Sequence, residues 1–492
     1  MGYKVALGEI CSFSRGASIP RARMLDRGDY LYIHYGDLYK GFDVRIDVEN
    51  PQKPIPYIAD SEPIREGQRL SDQDIVYVLT SETVEDLGHA FLFNNPRKLP
   101  AVAGTETTIV HVNRPDLVLP SYLNWLFQSS RFKRLLRQYV KGMKVFRVHP
   151  DDLARIEIEI PSIDDQRRIV SILDAIFERS LINSQINGYL EELLLARYDE
   201  LFGLFDSSAC NGKLADIGEV IGGATPSKKR ADYYSRDGIG WITPRDLSNT
   251  NKKFIAHGAD DITQAGYDSC SARLLRKGSV LFSSRAPIGY VAIADDELVT
   301  NQGFKSVVPK PEVGTAFVYC FLKRSARRIA DMGAGTTFPE VSGKMMKAVE
   351  LKLPELETCK SFSAFAKPLL HMQRKCEAEN TELESLRDAL LPRLMSGEID
   401  VSKVGLTQLN SHLAVPSRRL TGHLTGPRYE WQGGNQVACM EDLIYRIFDF
   451  FPRLGDNRTR SSIKTFSPTE KSVGKGGETM DGSRRPAALL VI

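Results

Sequence analysis

The sequence predicts an α+β protein: two duplicated globular domains separated by two long helices that form an antiparallel coiled coil. Three observations predict it. First, Pro161–Gly203 and Pro354–Gly397 each follow a strand-like run, IEIEIP at Ile156–Pro161 and VELKLP at Val349–Pro354. Second, both stretches carry apolar residues at helical spacing and end at a glycine. Third, the segments ahead of them repeat in the same order, the signature of an internal duplication.

The repeat runs as follows. VALGEI at Val5–Ile10 is echoed by LADIGEV at Leu214–Val220, and RGASIP at Arg15–Pro20 by GGATP at Gly222–Pro226. YIHYGDL at Tyr32–Leu38 parallels WITPRDL at Trp241–Leu247. Apolar strand-like runs follow at Asp74–Leu79 and Gly278–Phe282, then amphipathic helices around Tyr122–Val140 and Ala316–Met332. A glycine-bearing loop comes next, GMKVF at Gly142–Phe146 and GTTF at Gly335–Phe338. Short β-branched and aromatic runs broken by Gly, Pro, Asn and Asp suggest a curved sheet in each half. The expected boundaries are 1–160 for the first domain, 161–205 for a central spacer helix, 206–355 for the second domain and 356–400 for a C-terminal spacer helix. Residues 401–492, rich in Gly, Ser and basic clusters, form a tail of unknown role that is expected to be poorly ordered.

In the first long stretch Ser162 and Asp165 have capping-box spacing. Apolar positions recur at Ile169, Ile172, Leu173, Ile176, Ile182, Ile186, Leu190, Leu193 and Leu194. In the second, Phe362, Leu369, Cys376, Leu383 and Leu390 are seven apart, and Phe365, Met372 and Leu386 supply a second row. Such a seam suits a two-stranded coil; the alternative is a helix hairpin buried in one core. A helix of ~35 residues is about 50 Å long. Run antiparallel, the pair brings Asn183 and Asn380 near mid-coil, where a buried polar pair fixes register.

Bulk properties narrow the function. No apolar run is long enough for a membrane span, and the N-terminus lacks the apolar core of a signal peptide. The 7 cysteines form no C-x-x-C pair and the 8 histidines show no metal-ligand spacing, which fits a cytoplasmic protein without metal. Residues 401–492 carry 13 Lys and Arg against 8 Asp and Glu, so the formal charge of +3 comes entirely from the tail. Any nucleic-acid surface in the body is a local patch. No G-x-x-x-x-G-K-S/T loop, G-x-G-x-x-G, H-E-x-x-H or G-x-S-x-G is present. A duplicated chain without catalytic signatures points to a binding protein rather than an enzyme.

Basic side chains at equivalent places in the halves are candidates for phosphate contact: Arg134, Arg137, Lys141, Lys144 and Arg147, then Lys228, Lys229, Arg230, Arg327, Arg328 and Lys344, with Thr336 and Thr337 on the second glycine loop. Base-edge candidates are Tyr35, Asp37 and Lys40 in the first half, and Thr243, Arg245, Asp246, Ser284, Arg285, Asn301 and Gln302 in the second. Tyr32 and Trp241 lead apolar strands and read as core anchors. Ile169, Ile176, Ile186, Leu190, Leu369, Cys376, Leu383 and Leu390 are the expected seam.

WITPRDL after GGATP, NQGF at Asn301–Phe304, GTTFP at Gly335–Pro339 and the strand–proline–helix joints make residues 1–400 resemble the specificity subunit of a type I restriction–modification enzyme. Asp165-Gln166 resembles the acidic–Gln pair of that family; the second copy has Thr358-Cys359 there. The resemblance implies two target-recognition domains, each reading one part of a split double-stranded DNA site. It implies spacer helices that dock two methyltransferase subunits, which bind S-adenosylmethionine and methylate adenine. Restriction subunits would add ATP- and Mg-dependent translocation and cleavage, leaving no cofactor and no catalysis in this chain. Two other readings stand beside it: a coiled-coil protein-interaction scaffold, and a nuclease or methyltransferase with an unrecognised site.

Overall fold

The computed structural model describes residues 2–403 except 40, 85, 251, 286 and 334–338. All but the first three residues of the tail expected at 401–492 therefore lie outside the described residues.

Each half is built on a five-stranded sheet of the same topology. The first runs Cys11–Arg15, Thr107–Val112, Ile75–Val78, His89–Asn94, Arg45–Asp47; the second runs Gly218–Gly222, Lys305–Pro309, Val280–Ser284, Ile288–Ala294, Phe254–Ile255. Four strands of each are antiparallel and the last is parallel to its neighbour. Alternation decides what each face covers. Ile75 and Tyr77 join the core beneath the helix Pro120–Gln128, whereas Val76 and Val78 join the opposite cluster with Ile33, Phe93 and Ile109. Both faces are covered, which explains why IVYV is buried throughout.

The helix expected over Tyr122–Val140 is two helices, Pro120–Gln128 and Ser130–Arg137. Ser129 is extended (ψ 142°) and its hydroxyl accepts the Phe132 N–H, so it caps a new helix rather than continuing the old one. The second-half counterpart is a single helix, Thr315–Asp331. An antiparallel pair closes each domain: Tyr3–Ala6 with Glu157–Ile160, and Gly212–Lys213 with Glu350–Leu351. Each domain thus ends beside its own start, and a long helix leaves from that joint.

These helices, Ile163–Phe202 and Leu356–Met395, have 40 residues each, about 60 Å at 1.5 Å per residue. Ser162 accepts the Asp165 N–H at 3.2 Å and donates its own hydroxyl to the Asp165 carboxylate at 2.8 Å, so the expected cap forms. Gly203 and Gly397, both at φ +74°, end the helices in a conformation that favours glycine. The two run antiparallel. Ile169, Ile172, Leu173, Ile176 and Phe177 share the first domain's core with Leu383, Leu391, Leu394 and Met395. At the other end Tyr198 and Phe202 pack on Phe362 and on Phe317 of the second domain.

Mid-coil is polar. Arg179 pairs with Glu379 through two bonds of 2.7 and 3.0 Å. The Asn183 amide donates to Asn380 Oδ1 at 2.9 Å and to Glu379 at 3.0 Å, and Asn380 donates to the Ser180 carbonyl at 3.1 Å. The seam departs from expectation in its second row. Leu386 is 44% exposed, and the inward row is Cys359, Ala366 and Gln373. Ile186 and Leu390 are only half-buried. Small and polar side chains bring the helices together where a leucine row would part them.

Each domain is fastened to the coil by charge. In the first, Arg45 meets Asp174 at 2.9 Å, and Asp174 also accepts the Trp125 indole N–H at 2.8 Å. In the second, Lys253, 7% exposed, pairs with Glu191, donates to Gln373 at 2.6 Å and lies over the Tyr319 ring. Glu377 accepts the Lys253 and Phe254 N–H groups at 2.8 and 3.1 Å. Burial pushes the Glu191 carboxyl up, but Lys253 and the Tyr319 hydroxyl outweigh it and hold it below its usual range.

Lys253→Met leaves Glu191 buried without its partner and should cost about 3–5 kcal/mol in urea unfolding, most of it recovered by adding Glu191→Leu; additive losses would contradict the pairing. Because folding depresses Glu191, its contribution is complete above the ordinary carboxylate pKa of ~4.3 and is lost as pH falls through the folded value. Glu191→Gln should remove that part of the acid dependence. Asn183→Leu should raise the melting temperature while broadening the distance distribution between spin labels at Gln185 and Ala378; no change in either contradicts a register-fixing role.

Candidate nucleic-acid interface

In each half two parallel strands end side by side, so the loops after them open at the same edge. Ile33 of Tyr30–Ile33 is level with Ala103, and Ile242 of Gly240–Ile242 is level with Thr300. The glycine turn of each repeat crosses this edge. The Ala17 N–H donates to the Ala103 carbonyl at 2.7 Å, and the Ala224 N–H to the Thr300 carbonyl at 2.9 Å. A Cβ on Gly16 would collide with the Gly104 carbonyl, and one on Gly223 with those of Thr300 and Asn301; only glycine permits the crossing. Tyr32 and Trp241, both buried, pin these loops from inside. The Tyr32 hydroxyl donates to the Ala17 carbonyl at 2.9 Å, and the Trp241 indole N–H to the Ala224 carbonyl at 3.1 Å. Their reading as core anchors holds.

In the second domain the segments that carry Arg245, Arg285 and Gln302 adjoin at this edge, where the Ser284 N–H donates to the Gly303 carbonyl at 2.7 Å. Arg245 is exposed and makes no side-chain hydrogen bond or ion pair among the described residues. Its neighbour Pro244 lies against Gly303. Gln302 accepts the Thr225 hydroxyl. Asn301, half-buried, accepts the Gly303 N–H at 2.8 Å and thereby shapes the loop. Arg285 faces Glu340 at 3.8 Å, and Lys305 reaches Glu340 and Ser284 Oγ at 3.4 Å each.

Three base-edge candidates are used inside the protein. Thr243 caps the helix Pro244–Asn249, giving its hydroxyl to Asp246 at 2.6 Å. Asp246 takes the Thr243 N–H with one oxygen and the Ala259 N–H with the other. TPRD has capping-box spacing with proline in the first turn, a sequence signal that identifies this role. Ser284 is fully buried and its hydroxyl donates to the Gly303 carbonyl at 3.1 Å.

In the first domain Tyr35 is 38% exposed and lies 4.7 Å from the His34 ring. Burial, with Arg21 nearby, lowers the His34 pKa, and its Nδ1 accepts the Gly36 N–H at 3.1 Å. Asp37 is occupied by Lys53 and lies 3.7 Å from Arg21, so its carboxylate is not presented as a lone acceptor. Lys40 lies outside the described residues. Arg134 and Arg137 are exposed on Ser130–Arg137, and Lys144 is exposed on the loop beyond. Lys141 pairs with Asp152 at 2.7 Å and Arg147 with Glu106 at 3.3 Å.

Among the second-half phosphate candidates, Lys228, Lys229, Arg327 and Lys344 are exposed. Arg230 is bound to Asp232 by bonds of 2.9 and 2.7 Å. Arg328 is a correction. Its guanidinium stacks on Phe205 at 3.7 Å and donates to the Glu350 carbonyl at 3.0 Å, bracing the strand that leads to the last helix. Thr336 and Thr337 lie outside the described residues.

The shared backbone carries different charges. Val148 donates to the Leu79 carbonyl and Val341 to the Ser284 carbonyl, each at 3.0 Å, which makes Arg147 and Glu340 equivalent positions. One is a cation beside Glu106; the other is an anion between Arg285 and Lys305. Lys53, Lys305 and Glu340 were not among the expected site residues, since their partners are distant in sequence. Gln166 of the acidic–Gln pair is wholly buried: it accepts the Leu119 N–H at 2.8 Å and donates to the Leu117 and Pro161 carbonyls, fixing the helix start. Among the described residues no group of three potential metal ligands occurs, and no helix is long and apolar enough to cross a membrane.

Comparison with known proteins agrees with this architecture. The type I restriction modification DNA specificity domain matches residues 3–192 and again 210–384. The type I restriction enzyme MjaIX specificity subunit of Methanocaldococcus jannaschii is 45% identical over 147 residues, 30% of this chain and 34% of that one. The chain thus aligns with only about a third of that relative. The HindI specificity subunit of Haemophilus influenzae is 22% identical over 376 residues, covering 61% of this chain and 81% of that one. A crystal structure of the S subunit from M. genitalium shares the fold with a TM-score of 0.51 at 14% identity, covering 80% of this chain and 95% of that one. The chain belongs to the type I restriction–modification DNA specificity family, with one target-recognition domain in each half.

Proposed function

We propose that this chain is the DNA-reading subunit of a type I restriction–modification complex. Each domain reads one part of a split duplex site, and the antiparallel helices set the gap. Two methyltransferase subunits dock on the chain, bind S-adenosylmethionine and methylate adenine; restriction subunits add ATP- and Mg-dependent cleavage. The chain itself contributes recognition and no catalysis. The observation that carries this reading is the duplicated loop edge: one backbone design, pinned by Tyr32 or Trp241, bearing different charges in the two copies. A shared backbone suits a common duplex form, and divergent side chains suit two different half-sites. The scaffold alternative gains nothing from the family match.

Methylation mapping in cells with and without this chain, alongside its methyltransferase, should reveal one split motif that depends on the chain. No chain-dependent methylation would overturn the proposal. Arg245→Ala should relax one half-site only, by about 1–3 kcal/mol, leaving the other half-site and the gap unchanged. Lys144→Ala should weaken binding to all sequences about equally and lower the salt slope by about one. Equal effects of the two substitutions on specificity would undo these roles.

A further inference from the structure

The loop between Lys141 and Arg147 has a feature that phosphate contact does not explain. Its ends are clamped by two backbone bonds, Lys141 N–H to the Arg147 carbonyl at 2.9 Å and Arg147 N–H to the Lys141 carbonyl at 2.8 Å. Phe146–Arg147 also pairs with Thr80–Ser81, so the loop stands on the sheet as a small hairpin. Gly142 turns it at φ +123°, where a Cβ would collide with the Val145 carbonyl. At the tip Met143 is 94% exposed, the most exposed large apolar side chain among the described residues, and Val145 beside it is 43% exposed. Lys144 lies between them in the chain and is exposed; Lys141 and Arg147 at the ends of the loop are exposed too, paired with Asp152 and Glu106. Arg147 connects the hairpin to Glu106 on the recognition edge.

An apolar side chain held in water on a clamped turn is solvated at a cost, and the exposed Lys144 beside it favours a partner that also carries negative charge. Duplex DNA meets both demands. Its phosphates match Lys144, and its base stack accepts an apolar wedge, for which Met is one of the side chains used. We infer that Met143 is a wedge residue, inserted at a base step in or beside the half-site read by the first domain while Lys144 holds a flanking phosphate. Val145 widens the apolar tip. The inserted side chain unstacks that step, so deformable steps are favoured there without any hydrogen bond to a base edge. This rests on the DNA-reading proposal above and adds a residue that reads deformability rather than donors and acceptors.

The test uses the full chain in complex with its methyltransferase subunits and duplexes of the mapped site, with 2-aminopurine placed at successive positions across the first half-site. The wild-type complex should raise fluorescence at one step besides the target adenines. Met143→Ala should abolish that rise, keep the signals from the target adenines and weaken specific binding about tenfold, the scale set by losing roughly 1.4 kcal/mol of insertion. Met143→Leu should retain it. Because Met143 is almost wholly in solvent, neither substitution should alter unfolding. Identical scans for wild type and Met143→Ala would overturn the wedge. So would loss of subunit assembly in Met143→Ala, which would make the tip a protein contact. Absence of any specific binding by the wild-type complex would instead overturn the DNA-reading proposal itself.

Discussion

The polar contact midway along the two long helices is the constraint on which the rest of the molecule depends. An apolar seam alone permits helices to slide by a heptad, because each leucine finds an equivalent hole one repeat away. A heptad away, Arg179 would meet Met372 or Leu386 in place of Glu379, and Asn183 would meet the longer Gln373 or Arg387 in place of Asn380. Sliding would part the Arg179–Glu379 ion pair and strand the wholly buried Asn183 amide, which is costly when unpaired. The register is therefore fixed by polar groups and the helices are held together by apolar ones. Once it is fixed, the positions of both domains follow, since each is anchored to both helices.

The anchors differ in kind. The first domain merges its core with the coil: Trp125 and Phe132 share one cluster with Ile169, Leu173, Leu383 and Leu394. The second adds the buried Lys253 network to its aromatic contacts. Lys253 ties the edge strand Phe254–Ile255 to one helix through Glu191 and to the other through Gln373, so that strand stays in place only if both helices do. Rigidity matters for a reader of a split site. Two recognition surfaces joined by a flexible linker would accept many gaps, whereas two surfaces fixed to one rod accept one.

Much of this was legible in the sequence because it depends on local rules. Glycine at 16 and 223 marks a turn, the apolar run Ile75–Val78 marks a strand, and Ser162 with Asp165 marks a helix start. Even the Asn183–Asn380 contact follows from two rods of equal length run antiparallel. Other features were hidden for physical reasons. The inward row of the second helix is Cys359, Ala366 and Gln373, small or polar residues that no hydrophobic pattern selects. Lys253 reads as a solvated loop charge until the fold brings Glu191 and Gln373 to it. Ser284 and Asp246 looked available because polarity was visible and burial was not. Their partners, Gly303 and Ala259, are 19 and 13 residues away.

In the proposed function the coil is a ruler. Inserting one helical turn into each long helix, at matched positions beside Asn183 and Asn380, lengthens the rod by about 5.4 Å, or roughly one to two base-pair steps at ~3.4 Å. Methylation mapping with the lengthened chain should return the same two half-sites separated by a gap longer by that amount. An unchanged gap, or altered half-sites, would contradict the account.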